Sequence, residues 1–186
     1  MSKKASKKPI TPESVILSRR QKLVDNKTVI SFLSKLIILV VVLIVLFNVV
    51  FGLTPMRGND MKPSFHAGDI LLYYRMGHEY RSGDVVVYKA EESTYVGRVV
   101  AVGGDEIEIT EDSTVRINGS IMIETDVYFP TPKYGDEVQY PVKLSEGEYF
   151  ILCDFRDGGK DSRYFGKIPT DRIEGQVISA VRRSQL

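Results

Sequence analysis

The sequence predicts a mainly β domain carried behind a single transmembrane helix. Three observations carry that prediction. Leu36–Leu53 is an apolar run of 18 residues in which Asn48 is the one strongly polar member. From Met56 onward, short apolar or alternating runs are broken by Gly-Asp and Asp/Ser pairs, the pattern of strands separated by turns. Asn118-Gly119 stands between two such runs, and a two-residue hairpin loop needs positive φ at both of its positions.

Taken in order, residues 1–10 are rich in Lys and Ser and predict a disordered tail. Thr11-Pro12-Glu13 reads as an N-cap followed by proline at the first helical position. Val15, Ile16, Leu17, Leu23 and Val24 then give a short helix an apolar side to lie on a membrane, with Arg19, Arg20 and Lys22 near headgroups. Residues 1–35 hold nine Lys/Arg against Glu13 and Asp25, net +7, whereas the remainder holds 16 Lys/Arg against 22 Asp/Glu, net −6. A basic segment before an acidic body fits a tail held near anionic lipid and gives no indication of nucleic acid. As a helix, Leu36–Leu53 spans about 27 Å, close to the hydrocarbon thickness. The positive flank predicts residues 1–35 in the cytoplasm and residues 54–186 outside it. A cleaved signal peptide is disfavoured by the long tail and by an exit, Val50-Phe51-Gly52-Leu53-Thr54-Pro55, without a small-x-small pair.

The predicted strands are Ile70–Tyr74, Val85–Tyr88, Tyr95–Val102, Glu106–Ile109, Val115–Ile117, Ser120–Met122, Glu148–Leu152 and Arg172–Val181. Residues 126–142, with Pro130, Pro132 and Pro141 among Tyr128, Phe129, Tyr134 and Tyr140, read as an irregular excursion. The single cysteine, Cys153, excludes an intramolecular disulfide, and its place at the end of Tyr149-Phe150-Ile151-Leu152 marks it as a buried structural thiol.

Four short motifs follow the apolar run in order: Gly58-Asn-Asp-Met-Lys-Pro-Ser-Phe65, Gly83-Asp-Val-Val-Val-Tyr88, Tyr95-Val-Gly-Arg-Val-Val100 leading to Gly103-Gly-Asp105, and Asp161-Ser-Arg-Tyr-Phe-Gly166. Together they resemble the motifs of type I signal peptidases, the membrane-bound serine proteases that trim exported proteins, over most of residues 36–181. The resemblance implies a coiled β-sheet domain with a small second β lobe near residues 106–147. It also implies a serine nucleophile before Met61, a general-base lysine in the Tyr95–Val100 segment and a second hydroxyl before Asp161-Ser162-Arg163. Those three places hold Asp60, Gly97 and Gly159. The retained Asp161, Ser162 and Arg163 are then structural, and Met61, Pro63, Phe65, Tyr95 and Val96 are expected to line a groove for an extended peptide.

The missing alkoxide and amine predict a protein that is not an enzyme, similar to the SipA-type inactive homologues of Gram-positive pilus loci. That resemblance implies a chaperone or scaffold in pilus assembly, with pilin subunits and a sortase as partners and with no cofactor or metal. The alternative is an active signal peptidase with a non-standard arrangement around Asp60. An aspartic-protease route needs a second carboxylate, and Asp69, Asp84 and Asp105 are expected in turns. Lys62, two residues on, would share a strand face with Asp60 and pair with it as a salt bridge. Ser64 with His66, and Lys89, are poorly spaced to replace the lost groups.

Overall fold

An uninterrupted helix opens the described part of the chain because nothing between Glu13 and Val50 is Gly or Pro. The computed structural model describes residues 12–123, 127, 129–135 and 137–182. The predicted tail 1–10, the N-cap Thr11 and Tyr128 of the excursion lie outside them. Helix α1 (Pro12–Val45) forms one unit, and residues from Leu46 onward form the other. The short surface helix predicted before the span is therefore not a separate element but the first turns of α1. Asp25–Val50 is long and apolar enough to cross a membrane.

In the second unit a π-helical turn, Leu46–Val50, leads directly into strand β1 (Phe51–Pro55). The apolar helix thus ends at Val50, three residues short of the predicted Leu53. Phe51-Gly52-Leu53 are instead paired with Tyr74-Tyr73-Leu72 of β2 (Ile70–Tyr74). The remaining strands are β3 (Val85–Ala90), β4 (Ser93–Ala101), β5 (Glu106–Ile109), β6 (Val115–Ile117), β7 (Ser120–Ile121), β8 (Val142–Lys143), β9 (Glu148–Leu152), β10 (Ile168–Pro169) and β11 (Ile173–Val181). A single helical turn, α2 (Ser162–Phe165), follows its N-cap Asp161.

Seven strands form one antiparallel sheet in the order β1-β2-β11-β3-β4-β9-β10, and four form a second in the order β7-β6-β5-β8. The second sheet, within residues 106–143, is the small β lobe expected there. Its β6–β7 hairpin turns at Asn118 and Gly119, with φ of 52° and 79°, as that dipeptide requires. Strand β9 separates two cores. Tyr149 and Ile151 pack with Val86, Tyr88 and Val99, while Phe150 and Leu152 pack with Ile107, Ile109 and Val142. A third cluster, Met56, Met61, Leu71 and Cys153, fixes the segment after β1.

Pairing along β4 decides where the site lies. On one side Ser93–Arg98 pairs with β3, but β9 joins the other side only from Arg98 onward. The outer edge of Ser93–Gly97 therefore has no strand beside it among the described residues.

Candidate active site

Asp60 sits in a run of turns, not on a strand. Lys62 N–H donates to the Asn59 carbonyl at 3.1 Å and Phe65 N–H to the Met61 carbonyl at 2.8 Å. Because the segment is not extended, Lys62 does not share a strand face with Asp60, and no salt bridge joins the two among the described residues. Met61 anchors the run by complete burial. Ser64 anchors it from the other side, its hydroxyl donating to Asp154 Oδ2 at 2.6 Å. Arg98 holds the same carboxylate through Nε at 2.8 Å and Nη2 at 2.7 Å, so Ser64 is tied into a structural network and not to His66. Finally, Phe155 N–H donates to the Asp60 carbonyl at 2.8 Å, linking the run to the segment after β9.

The Asp60 carboxyl lines a cleft of about 270 Å³. One wall is Thr54–Gly58 and the other is Ser93–Val96 on the open edge of β4, with Lys160 beside them. Since β1 and β4 are separated by three strands in the sheet yet share this cleft, the sheet coils. Asp60 accepts no side-chain hydrogen bond among the described residues. Burial, then the charge of Asp161, pushes its pKa up from the ordinary aspartate value. A Cβ at Gly58 would lie 2.6 Å from Asp60 Oδ2, so the bare glycine makes room for the carboxyl.

Gly159 lies against Asp60: a Cβ there would stand 3.2 Å from Asp60 Cβ and 2.5 Å from Cys153 Sγ. Gly97 is buried, and a Cβ on it would meet Ile151 Cγ2 at 2.6 Å, the Leu152 carbonyl at 3.1 Å and Tyr88 Cε1 at 3.4 Å. The neighbours of both glycines occupy the volume that a larger residue would need.

Behind the cleft, Asp161 and Arg163 form a fully buried pair. Arg163 Nε donates to Asp161 Oδ1 at 2.9 Å and Nη2 to Oδ2 at 2.8 Å. Asp161 Oδ2 also accepts from Cys153 N–H at 3.1 Å and Sγ at 3.0 Å, while Ser162 Oγ accepts from Ile151 N–H at 2.9 Å. The pair fastens α2 to β9. So engaged, Asp161 cannot share a proton with Asp60 as an aspartic-protease dyad would. Burial and the Asp161 carboxylate push the Cys153 thiol far above its usual range, which leaves it inert.

Of the residues predicted to line the groove, Tyr95 and Val96 do so. Met61 is core, Phe65 packs partly buried beside it, and Pro63 is exposed outside the cleft lining. They leave the groove because the turn of the chain directs them elsewhere. Asp69, Asp84 and Asp105 each accept a backbone N–H three residues earlier, from His66, Arg81 and Val102, and so close turns. Lys89 pairs with Glu174. Sequence reasoning missed Arg57 and Lys160, since neither belongs to a strand pattern; the position of Lys160 next to Gly159 was the available signal. Among the described residues no cluster of His, Cys, Asp and Glu could hold a metal ion.

Comparison with known proteins places the chain in a family. The family model described as "Signal peptidase, peptidase S26" matches residues 29–181. Signal peptidase IB of Staphylococcus aureus is 32% identical over 163 residues, covering 76% of this chain and 85% of that protein. Signal peptidase I of Bacillus licheniformis is 32% identical over 155 residues, covering 76% and 82%. A crystal structure of a signal peptidase I from Enterococcus faecalis V583 shares 24% identity, with a TM-score of 0.44 over 54% of this chain and 97% of that one. Relatives of this similarity, named as peptidases, overturn the expectation from Asp60, Gly97 and Gly159 that the chain is not an enzyme. The chain belongs to the signal peptidase family, peptidase S26.

Proposed function

We propose that this protein is a membrane-anchored peptidase that takes an extended peptide into the cleft and cleaves it with the help of Asp60. The observation that carries this reading is the half-buried Asp60 carboxyl, without a side-chain hydrogen bond among the described residues, beside the open edge of β4. An added strand would pair its backbone with Ser93–Gly97 and bring a peptide carbonyl over Asp60. The ionised carboxyl takes a proton from water as the water oxygen bonds to that carbonyl carbon. It then returns the proton to the leaving amine as the C–N bond breaks. The Lys160 ammonium lies in the same cleft to oppose the negative charge that develops on the carbonyl oxygen. Asp25–Val50 anchors the protein, with the basic N-terminal segment cytoplasmic and the β domain outside.

The test is incubation of the full chain in detergent with a peptide that spans an export-signal cleavage site. Cleavage by the wild type, abolished in Asp60→Ala, supports the reading. Absence of product after long incubation removes it.

A second reading shares the cleft. With no base lysine at Gly97 the carboxyl turns over slowly, so a seated peptide is released uncut more often than it is cleaved. Such holding and release suits a chaperone or scaffold for pilin subunits working beside a sortase. Photocrosslinkers at Ser93 and Lys160 in cells expressing pilins test it; no pilin adduct rules this role out.

A further inference from the structure

Charge in the cleft adds a selectivity that rests on the peptide-binding reading above. Arg57 and Lys160 both line the cleft, and both are exposed. Six cations of the domain are held in ion pairs: Lys89 with Glu174, Arg98 with Asp154, Lys133 with Glu111, Lys143 with Glu106, Arg163 with Asp161 and Lys167 with Glu148. Arg57 and Lys160 are in no ion pair among the described residues; Lys160 has only the Tyr164 ring, 5.9 Å from its amine. Asp60 is the single acid in the lining, so two cations face one carboxyl. Residues 36–186 are acidic, at net −6, so a cationic cleft runs against the charge of the body that carries it.

A cleft of about 270 Å³ admits a side chain or two beside a bound backbone, not a large ligand. A strand seated on Ser93–Val96 would place its flanking side chains in the cleft that both cations line. We infer that the cleft selects extended peptides that carry an Asp or Glu next to the segment lying on β4, the carboxylate being paired by Arg57 or Lys160. A charge-assisted pair of this kind is partly screened where it is exposed, so it tunes choice and encounter more than total affinity.

The experiment uses the full chain in uncharged detergent and two fluorescent ten-residue peptides, identical except that two central alanines are replaced by aspartates. At low salt the acidic peptide is expected to bind about tenfold more tightly by anisotropy, with the advantage shrinking as salt rises. Arg57→Glu with Lys160→Glu is expected to reverse the preference toward a lysine-bearing peptide, and melting curves check that this variant is folded. Equal binding of neutral and acidic peptides, or a preference unmoved by the charge reversal, overturns the inference while leaving the peptide-binding reading intact. No binding of any peptide overturns both.

Discussion

At the scale of single residues, Asp60 carries the proposal and also a cost. Its carboxyl is more easily protonated folded than unfolded, so the folded state is favoured at low pH and loses that advantage as pH rises through the raised value. Asp60→Asn should therefore melt about a degree or two higher than wild type at pH 7. The gain should vanish as pH falls below the ordinary aspartate value. Cleavage should follow the opposite course, rising with pH as the base ionises and then levelling off. Arg163 is a different case. Its removal strands the Asp161 charge in the core, and Arg163→Met should cost about 3–5 kcal/mol in denaturant unfolding. Asp161 and Arg163 were legible in the sequence because they belong to a short contiguous motif that resembles a family box, Asp161-Ser-Arg-Tyr-Phe-Gly166. The charges of the cleft were not, because Arg57 and Lys160 come from loops whose meeting depends on the whole sheet.

Elements were legible where a pattern of period two or a specific turn residue marked them. Ile70–Tyr74, Glu106–Ile109, Val115–Ile117 and Glu148–Leu152 fall where alternation or an apolar run places them. Strand β1 was hidden because Phe51-Gly52-Leu53 prolong the apolar composition of the helix, and only pairing with β2 reveals the change. The two-residue strands β8 and β10 are too short to leave a period. For the β6–β7 hairpin, Gly119→Val should cost about 1–3 kcal/mol, since a β-branched residue resists a φ of 79°. On β4, Gly97→Ala should cost about 1–3 kcal/mol by pressing on Ile151. The double variant with Ile151→Ala should fall short of the summed losses in an unfolding cycle. By the same crowding, Asp60→Ser with Gly97→Lys should give little cleavage, because Ile151 and Tyr88 fill the room an added side chain needs.

For the whole molecule, the buried thiol makes topology directly measurable. With Cys153 unreactive in the folded chain, one introduced cysteine reports its own side of the membrane. An impermeant maleimide applied to intact cells should label Glu92→Cys and spare Ser2→Cys. The open edge of β4 has a reach beyond the cleft. The coiled sheet resembles a cask short of one stave, with the gap between Thr54–Gly58 and Ser93–Gly97. A guest strand that fills the gap completes the domain's own hydrogen bonding, so occupancy and fold stability rise together. An empty gap offers unpaired backbone to any extended chain, another copy of this protein included.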